Sequence, residues 1–254
     1  MTLKTRWASA LLALLSPLAA PAGTAVDVEI LDRKTGEVLP VYRHEGERHV
    51  AGEPGREYEI RLRNRDGCRM LAVTSVDGVN VITGKTASTR ASGYVIDPWG
   101  AVRIDGWRKS LDEVAAFYFT RLPDSYAART GRADNVGVIG VALFRERAPV
   151  RPMPMEDELL SRAGSSAPVA GAASPARESL DRADESKLGT GHGRRIDSGA
   201  VYTQFERASD QPDEIIRIYY DSHRNLMARG VIPHGDRVAR RTPDPFPGAF
   251  VPDP

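Results

Sequence analysis

The sequence predicts a mostly β protein: an antiparallel β-sandwich with a C-terminal ββα element docked on it and a long disordered linker before that element. Three observations carry this expectation. Apolar residues recur with period two from Val26 onward, and the apolar runs are short and bounded by Gly, Asp, Asn or Pro. From about residue 148, nearly all aromatic and β-branched content then disappears.

Residues 26–147 are the expected sandwich. “VDVEI” alternates Val26, Val28 and Ile30 with Asp27 and Glu29, which on a pleated strand sends the two sets to opposite faces. “RKTGE” turns the chain into “VLPVYR”. “YEIRLRN” repeats the alternation, with Tyr58, Ile60 and Leu62 on one face and Glu59, Arg61 and Arg63 on the other. That is the pattern of a half-buried strand with one wet face. After the “RDG” turn, “RMLAVTSVDG” is more continuously apolar, as a strand covered on both sides requires. “GVNVITG”, “GYVIDPWG”, “AVRIDGW”, “AAFYFT” and “VGVIGVALFRE” continue the series, each bounded by turn-forming residues. Two brief helical turns are expected within it. Ser110 and Glu113 have capping-box spacing ahead of “VAAFYF”, and “DSYAARTG” offers Asp124 as a cap and Gly131 as a stop.

Residues 148–188 are rich in Ala, Ser, Pro and charge, a composition that buries too little surface to offset its ordering entropy. Residues 189–232 are the expected β-hairpin plus short helix: “AVYTQFERA” and “EIIRIYYD” as strands, then “SHRNLMARG” capped by Ser222 and ended by Gly230. Such a unit is too small to stand alone, so it is expected to pack on the β-domain. Residues 233–254 form a Pro-rich tail.

Residues 1–25 stand apart from this fold. Lys4 and Arg6 precede the uncharged run “WASALLALLSPLAA”, and “APAG” and “GTAV” then offer small residues at cleavage positions. This is a secretory signal-peptide pattern, with cleavage expected after Ala22 or Ala25. The run is shorter than the roughly 20 residues needed to span a bilayer. The mature chain is therefore expected to be exported, periplasmic or extracellular, with no membrane span.

Composition narrows the partners. Removing Lys4 and Arg6 from 35 basic residues leaves 33 against 34 acidic ones, so no electrostatic argument favours nucleic acid. Cys68 is the one cysteine, which excludes an internal disulfide. A half-buried thiol is the expectation there, and a Cys68-linked dimer the alternative. The five histidines lack metal-ligand spacing, so no metal and no cofactor is expected. Asp77, Asp97, Asp105 and Asp124 are expected to serve turns rather than to form a catalytic pair.

“KLGTGHGRR” matches neither a Walker loop nor a dinucleotide fingerprint, so its glycines are expected to allow a bend where the linker rejoins the fold. An anion-binding loop around His192 and Arg194 is the alternative. Trp99 and Trp107 fall at turns or strand ends, Arg108 follows the second, and Tyr126 and Arg129 lie on a probable loop. Trp99, Trp107, Arg108, Tyr126, Arg129, His192 and Arg194 are thus the candidate ligand-binding residues. Burial of both tryptophans is the competing expectation.

“VTSVDGVNVITG”, “GYVIDPWG”, “IDGWRKS”, “SYAARTGR”, “NVGVIGVALF”, “LGTGHGRR” and “YYDS” together resemble a family of exported proteobacterial proteins with no assigned activity. The resemblance covers both folded segments, implies export, and brings no catalytic or ligand residues. The leading expectation is a non-enzymatic binding or interaction protein whose partner is an envelope protein or a glycan. The alternative is a hydrolytic enzyme using His192 with a distant carboxylate.

Overall fold

The computed structural model describes residues 24–148 and 187–233. The expected signal peptide up to residue 23, the spacer from 149 to 186 and the tail from 234 lie outside the described residues. Strand makes up 49% and helix 9%, which bears out the mostly β class.

One sheet has six strands. β1 (Val26–Asp32), β4 (Glu57–Asn64), β10 (Glu113–Arg121) and β12 (Leu188–Asp197) lie in that order; β8 (Ala101–Ile104) also pairs with β4, and β9 (Gly106–Arg108) with β10. The other has seven. Its order is β2 (Val41–His44), β3 (Glu47–Gly52), β13 (Glu214–Ser222), β11 (Val138–Arg145), β5 (Met70–Val76) and β6 (Val79–Asn80), with β7 (Tyr94–Ile96) also on β5. All pairs are antiparallel except β13 with β3, so the second sheet is mixed.

The period-two pattern holds for the apolar faces of β1 and β4, while Glu59, expected on the wet face, is buried beside Asp105. Tyr58, Ile60 and Leu62 are fully buried and meet Ile139, Ile216 and Ile218 of the opposite sheet in a single apolar cluster. Each buried side chain of this size stabilises by about 1.5–3 kcal/mol. That cluster also holds Leu188 and Tyr220, so the residues on either side of the spacer share one interior.

The C-terminal piece is not a hairpin. Its strands are β12 and β13, and they belong to different sheets: β12 at an edge beside β10, β13 between β3 and β11. “AVYTQFERA” forms no strand despite its alternation, with Val201 87% and Tyr202 90% exposed. Only Phe205 of this segment packs on the apolar cluster of Leu71, Val73, Ala142 and Phe144, and one anchored residue does not make a strand. The short helix does follow as expected: α2 (His223–Ala228) begins with the Asn225 N–H donating to Ser222 Oγ at 3.2 Å.

The triple-glycine stretch is strand β12 rather than a bend, and none of its three glycines has positive φ. The glycines serve close approach. A Cβ on Gly191 would lie 2.2 Å from the Tyr118 ring, and one on Gly189 would lie 2.6 Å from Ser125 Cβ. Real Cβ atoms do not approach so closely, so neighbouring side chains lie directly on the bare backbone.

Three further local expectations change. Ser110 Oγ accepts the Asp112 and Glu113 amides in a side-chain turn, and the chain enters β10 without a helix. The helical turn α1 (Tyr126–Arg129) is capped by Ser125, not Asp124. A β2–β3 hairpin, absent from the sequence reading, turns through Glu45 (φ 50°) and Gly46 (φ 81°), the double positive φ of a tight hairpin loop.

Candidate functional site

The site grows from β9, α1 and β12. Pairing with β10 places Trp107 opposite Ala115 and turns its ring inward, 3% exposed, with Nε1 donating to the Gly191 carbonyl at 3.4 Å. The Ser125 cap then starts α1 so that Tyr126 lies on Trp107, ring centroids 5.0 Å apart. On β12, His192 is the register partner of buried Phe117 and so points to the same side of the sheet. Because β12 is an edge strand, His192 emerges at the rim, exposed, 5.5 Å from the Tyr126 ring. Three rings thus run from core to solvent.

Cations surround the outer two rings. The Arg132 guanidinium lies 5.8 Å from the Tyr126 centroid and bonds only to neutral groups, Thr130 Oγ1 and the Gly84 carbonyl. Lys109 and Arg129 are exposed, and their side chains have no hydrogen bond or ion pair among the described residues. Arg195 pairs with Glu113 at 3.2 Å. Partial burial, then Lys109, Arg129 and Arg195, hold the His192 imidazole below its ordinary value. No carboxylate or hydroxyl among the described residues hydrogen-bonds to it.

Four of the seven expected residues therefore converge: Trp107, Tyr126, Arg129 and His192. The other three lie apart. Trp99 sits at a turn with φ 59° and is 70% exposed, without ring contacts to the others. The Arg108 guanidinium is spent on the fold, donating to Tyr94 Oη at 3.0 Å and to the Ser198 carbonyl. Arg194 is paired with Glu57 at 2.9 Å.

The sequence reading missed a buried polar node. Asp77 makes the expected turn with Gly78, but it is completely buried, and its carboxylate reaches into the core. Oδ1 accepts from Tyr220 Oη at 2.5 Å and the Gly137 amide at 2.9 Å, and Oδ2 from the Thr190 amide at 2.8 Å. Thr190 Oγ1 in turn meets Tyr58 Oη at 2.7 Å and Tyr220 Oη at 2.6 Å. Burial raises Asp77 to about 6, against these donors that favour the ionised form. The only local signal was “VDG”, which reads the same for a surface turn.

Other titratable groups have local explanations. Glu59 is raised by burial and by the adjacent Asp105, which accepts from Ser198 Oγ at 2.8 Å and Arg33 Nη1 at 3.2 Å. His49 is 1% exposed with neither ring nitrogen hydrogen-bonded, and burial lowers its pKa. Cys68 is exposed in the turn before β5, not half-buried as expected, because the strand begins two residues later.

No family model, curated protein or solved structure matches this chain.

Proposed function

We propose that this chain is an exported, non-enzymatic β-sandwich protein that binds an acidic glycan at the Tyr126–His192 platform. The observation that carries the reading is the juxtaposition of the tilted Trp107, Tyr126 and His192 rings with Lys109 and Arg129, two exposed cations whose side chains have no partner among the described residues. Aromatic faces suit the apolar side of a sugar ring, and unneutralised cations suit its carboxylate. The signal-peptide pattern of residues 1–25 supports export to the compartment where such glycans occur. A hydrolytic reading has less support, because among the described residues no nucleophile or carboxylate hydrogen-bonds to His192.

Titration of the His192 imidazole by NMR, with oligogalacturonate and with a neutral oligosaccharide of the same length, tests this. Oligogalacturonate is expected to raise the His192 pKa and to bind less tightly as salt rises. The pair Lys109→Ala and Arg129→Ala is expected to weaken binding about tenfold. An unmoved His192 resonance in the folded protein overturns the proposal.

A further inference from the structure

A second concavity lies on the other sheet. On its outward face β5, β11 and β13 align two cross-strand rows, Val73–Ala142–Ile215 and Ser75–Gly140–Arg217. The middle strand contributes only Gly140 and Ala142 to these rows, so the face is dished at its centre. Even a Cβ on Gly140 would stand 2.9 Å from Ser75 Oγ. Residues 86–89 form one wall, and the hollow measures about 340 Å³. That is within the roughly 300–1,000 Å³ of small-ligand sites.

The wall is built, not incidental. Arg207 donates to the Thr89 and Ala91 carbonyls, both at 2.8 Å, while its guanidinium rests 4.0 Å from the Phe144 ring centroid. Asn80 Nδ2 donates to the Ser92 carbonyl at 3.1 Å, and Arg132 Nη1 to the Gly84 carbonyl at 3.0 Å. A wall held at the Thr89 carbonyl and, on its two flanks, at those of Gly84, Ala91 and Ser92 is preorganised, which lowers the ordering cost of binding.

The lining selects the ligand. One row is aliphatic, and the other carries a hydroxyl and a guanidinium. Arg217 is the single charged residue of this hollow and has no hydrogen bond or ion pair among the described residues. Glu47, Arg48 and Glu214 line a neighbouring hollow on its other side, without pairing to it. No aromatic side chain lines the groove, so a sugar ring has nothing to stack on.

We infer that this groove binds a short aliphatic peptide through its free C-terminal carboxylate. The carboxylate meets Arg217, the small side chains lie along Val73, Ala142 and Ile215, and the peptide groups bond to Ser75 and the hydroxyl-bearing wall. This proposal does not rest on the platform reading, although Arg132 touches both places.

Amide chemical-shift mapping with N-acetyl-Val-Ala tests the inference on the mature chain. Saturable shifts are expected at Ser75, Gly140, Ala142 and residues 86–89, with His192 unmoved. The C-terminal amide of the same peptide is expected to bind about tenfold more weakly, and Arg217→Gln to abolish the difference between the two. Equal binding of acid and amide, or no saturable shift with either, overturns the inference. So does preferential binding of glucuronate, which would make the groove a sugar site. Shifts confined to His192 and Tyr126 would overturn it while leaving the platform reading standing.

Discussion

Thr190 and His192 are two residues apart on β12 and point to the same side of the sheet, yet they belong to opposite kinds of polar cluster. At Thr190 the interior is closed, and its hydroxyl, the Asp77 carboxylate and the Tyr58 and Tyr220 hydroxyls are bonded to one another. At His192 the sheet has reached its rim, and the rings end in solvent beside Arg195, which Glu113 pairs, and beside Lys109 and Arg129, whose side chains have no ion pair among the described residues. A polar group whose bonding capacity is used internally holds the fold together and has little left to offer a partner. One left unpaired at the surface costs little stability and is free to recognise a ligand.

The largest effect is expected at the closed end. Asp77→Ala strands the Gly137 and Thr190 amides and the Tyr220 hydroxyl in the core, and should lower stability by about 2–4 kcal/mol in urea unfolding. A change below about 0.5 kcal/mol would remove the node from the account of what joins the two segments.

A pH effect of similar size follows from the same residue. The folded-state value of Asp77, about 6, lies above its ordinary 3.8, so the folded protein holds this proton more tightly than the unfolded chain. Its stabilising contribution is complete below about pH 4 and is lost as pH rises through about 6, a fall of about 3 kcal/mol. Thermal unfolding from pH 4 to 7 should show that loss in the wild type and lack it in Asp77→Asn.

A smaller effect is expected for the close approach on β12. Gly191→Ala forces the Tyr118 ring aside and should cost about 1–3 kcal/mol, whereas Gly199→Ala, with open space around it, should cost almost nothing. Equal midpoints for the two variants would restore the view of the glycines as mere chain flexibility.

The least effect on stability is expected at the open end. His192→Ala should shift stability by less than about 0.5 kcal/mol, because the side chain is exposed and hydrogen-bonds to no other side chain among the described residues. A loss comparable to that of Asp77→Ala would make the ring cluster a structural device instead of a recognition surface.

Much of this was legible in advance. Alternation identified the buried face of β1 and β4, although Glu59, expected on the wet face of β4, is buried as well. Ser222 and Gly230 bracketed α2 because caps act locally. Trp107, Tyr126, Arg129 and His192 were chosen singly, as rings and charges near turns, but nothing in the chain said that they meet. β12 was hidden because three of its ten residues are glycines, which carry no facial pattern. The “AVYTQFERA” segment misled for the converse reason: it has the pattern, but only Phe205 packs on the body while Val201 and Tyr202 are exposed.

The sequence by itself determined the β class, most strand positions, the composition break after residue 147 and the placement of turns, since each depends on neighbours within a few residues. The tertiary structure alone decided that β12 and β13 go to different sheets, that Asp77 is buried, and that Gly140 and Ala142 hollow the outer face of one sheet. Those outcomes depend on which distant strands become neighbours. A periodic pattern records that a face must be covered, but not what covers it.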